Sequence, residues 1–308
     1  MTQADRFTRR RLIAISACAA GAALLPAMGR AAPPVARWQG VALGAGAQLR
    51  LVGLTPAQAA PLIAAVEAEL ARCEAIFSLY RPDSQIARLN RDGRLDDPAP
   101  EMLALLSQAR DVHRRTGGLF DPTVQGLFDL YARNAASGRH PARPELAAAL
   151  AGVGFDRLRF DAGGVAMPRG MRLTLNGIAQ GAITDRVAAL LRAAGLRDLL
   201  VDMGEIRAIG LAPDGRGWRV RLDHGSVDAP VQVLRDRAVA TSRPGGTMIG
   251  GVGHILHPRQ GAVAPRLNAV TVLADSAALA DGLSTGAALM DAASARALAG
   301  DGVTVIAS

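Results

Sequence analysis

The sequence predicts an α+β fold: a single large domain of mixed sheet and helices. Three observations lead there. Segments of helical period and short alternating segments follow one another without the regular strand–helix alternation of a doubly wound sheet. Strand signals crowd the second half of the chain, while the longer helical stretches lie in the first. Half of the 308 residues are hydrophobic but only 3% are aromatic, so the core has to be built from Ala, Leu, Val and Ile.

The N-terminus reads as an export signal. Thr8-Arg9-Arg10-Arg11-Leu12-Ile13 is a twin-arginine pattern, followed by a weakly apolar stretch to Leu25 and small residues for cleavage near Ala31. Residues 1–31 are therefore expected to be a twin-arginine signal peptide and 32–308 the mature domain, with a periplasmic location. Ile15-Ser16-Ala17-Cys18 resembles a lipoprotein box. Apolar residues continue beyond Cys18, however, so soluble release is favoured over a lipid anchor. The stretch is too short and too rich in Ala and Gly to span a membrane, and no transmembrane helix is expected in the mature chain.

The leader carries five arginines and Asp5, so only +4 of the formal net charge of +8 belongs to the remainder. With no basic run and few aromatics to stack bases, nucleic-acid binding is not expected. All 35 basic side chains are Arg, which excludes a lysine Schiff base or a P-loop lysine. Cys18 falls in the leader and leaves Cys73 alone, so neither an internal disulfide nor a cysteine metal cluster is available.

Taken in order, the mature chain opens with Val41 to Ala45 and a strand over 48–52. Thr55-Pro56-Ala57-Gln58 is a helix start, with Thr as cap, Pro at the first position and Gln completing a capping box; the helix runs to about Ile76. Phe77 to Ser84 is a polar loop. Residues 99–116 are helical and stop at Gly117-Gly118, and Phe120-Asp121-Pro122-Thr123 is a turn opening another helix. The polar stretch 134–144 reads as a surface loop. Strands are expected near 157–160, 171–175, 198–202, 205–210, 217–222, 230–234 and 237–241. A glycine-rich passage at 244–253 leads to His254-Ile255-Leu256-His257-Pro258-Arg259-Gln260-Gly261. A strand at 268–273, a helix at 276–290, a short helix and a last strand at 302–307 complete the chain.

Leu173 to Asp185 stands out. A strand ends at Asn176-Gly177, and Gly181 opens an amphipathic helix with Ile183, Val187, Leu190, Leu191 and Ala194 on one face and Gly195 as its C-terminal stop. Such a connection can turn backbone N–H groups toward an anion, or be an ordinary strand-to-helix link. In Ala280-Asp281-Gly282-Leu283-Ser284-Thr285, residues 281 and 285 lie one helical turn apart on the same face. A carboxylate and a hydroxyl there suit Mg²⁺; the plainer alternative is a surface Asp and a Thr bonding back to the preceding turn. His254, at a strand end, is a candidate general base. Zinc on His254 and His257 lacks a third ligand nearby. Tyr80 is one of only two tyrosines and sits in a loop, where it could stack on a flat ligand or anchor the loop.

These fragments, in this order, resemble the FAD:protein FMN transferase family. The matching pieces are Leu43-Gly44, F-S-L-Y-R-P-D-S at 77–84, G-G-L-F-D-P-T at 117–123, L-N-G-I-A-Q-G…D at 175–185, V-D-M-G-E-I at 201–206, A-T-S at 240–242, H-I-L-H-P-R-Q-G at 254–261 and A-D-G-L-S-T at 280–285. The leader and the variants at 175–181 and 202–206 look most like the exported subgroup that serves nitrous-oxide reduction. The resemblance implies a T-fold-like core with additional helices, and FAD bound as substrate with Mg²⁺ on its pyrophosphate. It also implies attack by a Thr or Ser hydroxyl of an acceptor flavoprotein, membrane-attached and facing the periplasm. AMP leaves and FMN stays on the acceptor as a phosphoester. Residue by residue, Asp281, Thr285 and the carbonyl of Gly177 would hold Mg²⁺; Leu43, Tyr80, Leu119, Phe120, Asp121, Thr174, Gln180 and Ile255 would contact FAD; His254 would be the base. The chain departs from the family pattern at Thr174 (usually Asp), Gln180 (Lys or Glu), Ala182 (aromatic) and His257 (Asp). These losses keep two rival expectations open, a non-catalytic FAD carrier and an FAD pyrophosphatase.

Overall fold

The computed structural model describes residues 33–225 and 228–308. The twin-arginine segment, its cleavage site and Cys18 lie outside the described residues. β1 (Val35–Ala42) and β2 (Ala45–Val52) form a hairpin whose turn, Leu43-Gly44, has φ of +47° and +80°. Two consecutive left-handed residues are what a tight type I′ turn requires. α1 (Pro56–Phe77) starts at the expected capping box: Thr55 Oγ1 accepts the Gln58 N–H at 3.4 Å and Gln58 Oε1 accepts the Thr55 N–H at 2.9 Å. Then come α2 (Gln85–Asp92), β3 (Arg94–Asp96), α3 (Pro100–Arg115), α4 (Gln125–Ala136) and α5 (Arg143–Ala151). A 3₁₀ turn at Phe155–Arg157 precedes β4 (Arg159–Asp161) and β5 (Gly164–Ala166), which join β3 in a small sheet. α6 (Ala179–Ala193) leads into β6 (Leu199–Asp202), β7 (Ile206–Ile209), β8 (Trp218–Arg221), β9 (Val231–Leu234) and β10 (Arg237–Ser242). The short β11 (Met248–Ile249) and β12 (Val252–Gly253) are followed by β13 (Val270–Ala274), α7 (Ala277–Ala287), α8 (Ala292–Arg296) and β14 (Thr304–Ala307).

The main sheet is antiparallel throughout, in the order β1-β2-β6-β7-β10-β13-β14. Both of its faces are covered, and the period of two sorts its side chains between them. Leu199, Val201, Val270 and Val272 point into the large core shared with α1, α3, α6 and α7. Leu200, Ala208, Val239 and Leu273 point the other way, under Trp218, Val220 and Leu234 of the β8–β9 ribbon. This two-sided burial explains why strands such as L-L-V-D and V-T-V-L-A read as continuous apolar runs. The architecture is α+β, as expected.

Several local expectations are corrected. The segment 171–175 is not a strand. Its backbone is extended, but its partner is a side chain: Asn90 Oδ1 accepts the Leu173 N–H (2.6 Å) and Asn90 Nδ2 donates to the Leu173 carbonyl (2.8 Å). Thr174 N–H goes to the Pro122 carbonyl (2.7 Å), and one isolated bridge joins Arg172 to Val124. An amide side chain thus replaces a neighbouring strand, and alternation cannot reveal that. α6 opens at Ala179, two residues before Gly181. Its end is as expected: Gly195 has φ +91°, Leu196 N–H reaches Leu191 O and Gly195 N–H reaches Arg192 O, a Schellman stop. α2 falls in a stretch with no expected element, although Ser84 caps it (Ala87 N–H to Oγ, 3.1 Å) and left-handed Gly93 closes it. The polar stretch 134–144 is shorter as a loop than expected, since α4 runs to Ala136 and α5 begins at Arg143, where Glu145 accepts the Ala142 N–H. The last long helix ends at Ala287 rather than 290.

Candidate active site

The site forms where the N-terminal turn of α6 meets α7. The two helices approach closely because residue 181 is glycine: a Cβ there would lie 2.3 Å from the Ala277 carbonyl oxygen and 2.7 Å from Ala278 Cα. That proximity lets Asp281, one turn into α7, accept the Gly181 N–H on Oδ2 at 3.1 Å. Thr285, one turn further, donates from Oγ1 to the Gly177 carbonyl at 3.4 Å. A Cβ at Gly177 would fall 3.0 Å from Thr285 Cγ2, so a side chain there would crowd Thr285. The structure therefore brings Gly177, Asp281 and Thr285 together across about a hundred residues of sequence.

Ser242, at the end of β10, completes the cluster. Its Oγ lies 2.8 Å from Ser284 Oγ and 3.4 Å from Thr285 Oγ1, and Ser284 Oγ donates to the Asp281 carbonyl at 3.0 Å. The donor set is one carboxylate, hydroxyls and a backbone carbonyl. Among the described residues there is no group of three or more His, Cys, Asp or Glu side chains suited to a metal. Ser242 lies within the A-T-S fragment, but no periodicity ties that fragment to a helix forty residues later, so sequence reasoning assigned it no role.

Phe120 borders the cluster. Its ring reaches 3.4 Å from the Cβ position of Gly177. Its backbone is fixed on both sides, the N–H on Thr116 Oγ1 (3.0 Å) and the carbonyl on His113 Nδ1 (2.7 Å). Asp121 turns inward: Oδ1 accepts from Thr123 N–H and Oγ1, and Oδ2 from Phe155 N–H at 3.2 Å. Its carboxylate builds the loop that carries Phe120.

Leu119 leads from that loop into a cleft of about 620 Å³, also lined by Ile255, His257, Gln260, Arg266 and Met290. The size is that of a small-molecule or cofactor site. Burial, then the charge of Arg259, holds the His257 imidazole below its ordinary pKa, so it is neutral at neutral pH. His257 Nδ1 accepts the Arg259 N–H at 3.1 Å, which leaves the ring proton on Nε2. His254 does not line this cleft. Its Nδ1 lies 3.2 Å from the Thr247 carbonyl. A carbonyl can only accept, so Nδ1 carries a proton.

The other expected contacts are more dispersed. Gln180 packs on Gly204, whose Cβ position lies 2.8 Å from Gln180 Cδ. Thr174 Oγ1 accepts the Asn176 N–H at 3.2 Å, in the turn leading to Gly177. Leu43 sits in the β1–β2 turn and Tyr80, 67% exposed, in the loop after α1; neither lines the cleft nor joins the oxygen cluster.

Asp202, behind the Gly204 turn, is buried and accepts the Gly204 N–H at 3.1 Å. Burial pushes its carboxyl up to about 6. Because the native state then holds the proton more tightly than the unfolded chain, stability falls as pH rises from about 4 to about 6, by about 3 kcal/mol in all. Asp202→Asn keeps the acceptor and removes the charge. Allowing about 1 kcal/mol for its buried NH₂, the variant is expected to be more stable by about 2 kcal/mol at pH 8. The advantage disappears below pH 4. Thermal unfolding of both proteins from pH 4 to 8 checks this; a gap that does not change with pH refutes it.

Fold and site together define an α+β protein with a hard-oxygen cluster at two apposed helices and a cleft of cofactor size that begins at Leu119, next to the Phe120 that borders the cluster. The chain belongs to the ApbE family, whose family model matches residues 43–307. Among curated proteins it is 32% identical over 230 residues to an FAD:protein FMN transferase of Vibrio cholerae, covering 70% of this chain and 69% of that protein. A protein of the same name from Haemophilus influenzae is 27% identical over 243 residues (72% and 70%). Among solved structures, the flavin transferase ApbE of Vibrio cholerae superposes with a TM-score of 0.74 at 26% identity, over 89% of this chain and 98% of that one. The Pseudomonas stutzeri flavinyl transferase ApbE in its apo form gives 0.77 at 27% identity, over 90% and 95%.

Proposed function

We propose that this chain transfers the FMN portion of FAD to a Thr or Ser hydroxyl of an acceptor flavoprotein, with a bound Mg²⁺, releasing AMP. The observation that carries the reading is the convergence of Gly177 O, Asp281 and Thr285 Oγ1 beside the cleft in a member of this family. The residues fit the ion. Mg²⁺ takes oxygen ligands and commonly binds through one or two carboxylates together with substrate phosphates. A Cβ at residue 177 would crowd Thr285 Oγ1, 3.1 Å away, and glycine leaves that space clear. When bound, the ion would neutralise charge on the pyrophosphate and ease departure of AMP.

Phosphoryl-type transfer needs positioning and charge neutralisation more than a protein nucleophile, and the chain's own groups are disposed accordingly. Leu119, Ile255 and Met290 offer apolar cleft wall to the flavin. Phe120, buried beside Gly177, packs against the oxygen cluster. His254, its ring oriented by the Thr247 carbonyl, is the group that would take the proton from the acceptor hydroxyl. The acceptor O–P bond forms, the P–O bond to AMP breaks, and the proton moves to the imidazole.

The twin-arginine pattern supports export before action, and hence a periplasm-facing acceptor, membrane-attached. No helix among the described residues is long and apolar enough to cross a membrane. The test is incubation of the mature chain with FAD, Mg²⁺ and an acceptor domain bearing an exposed Thr, read by intact mass and AMP release. An FMN-sized adduct that a chelator abolishes is expected. AMP without adduct would identify a pyrophosphatase, and bound FAD without AMP a carrier; either result overturns the transferase reading.

A further inference from the structure

We propose that Asp185 is a positioning residue for the cation site, holding α7 on α6 so that Asp281 and Thr285 face the Gly177 carbonyl; the inference rests on the metal reading above. Asp185 lies one turn beyond Gly181 on α6, just as Asp281 lies one turn beyond Ala277 on α7. Its carboxylate accepts four donors. Oδ1 takes the Ala277 N–H at 3.0 Å and the Arg207 guanidinium at 2.8 Å; Oδ2 takes the Ala278 N–H at 3.0 Å and the Ser276 hydroxyl at 2.7 Å.

The amides of Ala277 and Ala278 are the first two of α7, which have no acceptor within their own helix. A carboxylate facing them also meets the positive end of the helix dipole. Ser276 is itself the cap of α7, accepting the Leu279 N–H at 3.2 Å while donating to Asp185. In the opposite direction, Asp281 accepts the Gly181 N–H, an amide of the first turn of α6. Each helix thus gives a carboxylate to the other's N-terminus, and the two exchanges lie either side of the Gly181 contact.

Asp281 reaches the first turn of α6 at Gly181, and Asp185 makes three bonds to the start of α7 besides its ion pair with Arg207. Those three bonds fix the axial position of α7, and with it the places of Asp281 and Thr285. Nothing in the alternation or charge pattern of 173–185 reveals this, because the donors come from a segment ninety residues on. The role differs from that of a ligand: Asp185 lies behind the site and acts through the helix.

The test is Mn²⁺ binding at 15 °C, followed by electron paramagnetic resonance and calorimetry, on the mature protein and its Asp185→Asn, Ser276→Ala and Asp281→Asn variants, with circular dichroism confirming the fold. Asp281→Asn is expected to lose binding. Asp185→Asn should weaken it about tenfold, as loss of a group orienting a ligand does, while FAD affinity measured in chelator stays within about twofold. Ser276→Ala removes one of the four donors and should weaken Mn²⁺ binding by about two- to threefold. It decides the matter if Asp185→Asn does not fold. A merely structural role would lower the melting temperature of the variants and leave the Mn²⁺ dissociation constant unchanged, and that result overturns the proposal. Absence of Mn²⁺ binding by the unsubstituted protein is a separate result, which overturns the metal reading itself.

Discussion

Replacing Asp281 by alanine is expected to lower FMN transfer by about a hundredfold or more, since changing even a residue that only orients a metal ligand costs 10–100-fold. It is the one carboxylate in a cluster otherwise made of hydroxyls and a carbonyl. The effect on stability is separable from the effect on activity. Asp281 is buried and accepts the Gly181 amide. Alanine leaves that N–H without its acceptor, at a cost of about 1–3 kcal/mol. Asparagine restores a neutral acceptor of the same shape. The two variants should therefore be equally inactive, while the alanine variant loses more melting temperature than the asparagine one. Parallel assays of adduct formation, with thermal unfolding in chelator, check both halves. Full Mg²⁺-dependent transfer by Asp281→Asn would sink the assignment of this side chain to the cation.

What the chain reveals as a string depends on how far apart the cooperating residues lie. The capping box at Thr55 and the Schellman stop at Gly195 were legible because a cap is written within a few residues. Strands such as those at 198–202, 205–210 and 237–241 were legible from their apolar residues and fell within a residue or two of their observed bounds, whereas 171–175 is not a strand and the short β5, β11 and β12 carried no signal. The helical spacing of Asp281 and Thr285 placed them on one face, and the structure keeps them there. Asn90 shows the limit: a single amide serves the backbone of Leu173 in place of a strand, and no pattern near either residue signals it. Ser242 and Asp185 were missed for the same reason, since each acts on α7 from a distant segment. Asp121 was assigned to FAD by its motif alone; the bond its carboxylate accepts from Phe155 could not be read there, because that donor lies 34 residues on.

Gly181→Ala should damage both the fold and the site, and comparison with the other end of the same helix shows why. Within a helix, alanine is ordinarily better than glycine by about 1 kcal/mol. At 181 that gain is overwhelmed. The new methyl would sit 2.3 Å from the Ala277 carbonyl oxygen and 2.5 Å from its carbon, and both are backbone atoms that cannot rotate away. α7 has to move by roughly an ångström, and overpacking of this kind costs about 3 kcal/mol. The same shift lengthens the Gly181–Asp281 bond and the Asp185 bonds to Ala277 and Ala278, which span that gap. A fall in melting temperature of about 6 °C should therefore accompany a loss of cation affinity. Gly195→Ala is the control. Gly195 has φ +91° with nothing within 4 Å of its Cβ position, so alanine there costs about 1–2 kcal/mol of backbone strain and leaves the α6–α7 contact alone. Its cation affinity should match that of the unsubstituted protein. Equal loss of affinity in both variants would show that general destabilisation, rather than the spacing of the two helices, governs the site. Retention in Gly181→Ala would show that the close approach at residue 181 is not needed to assemble it.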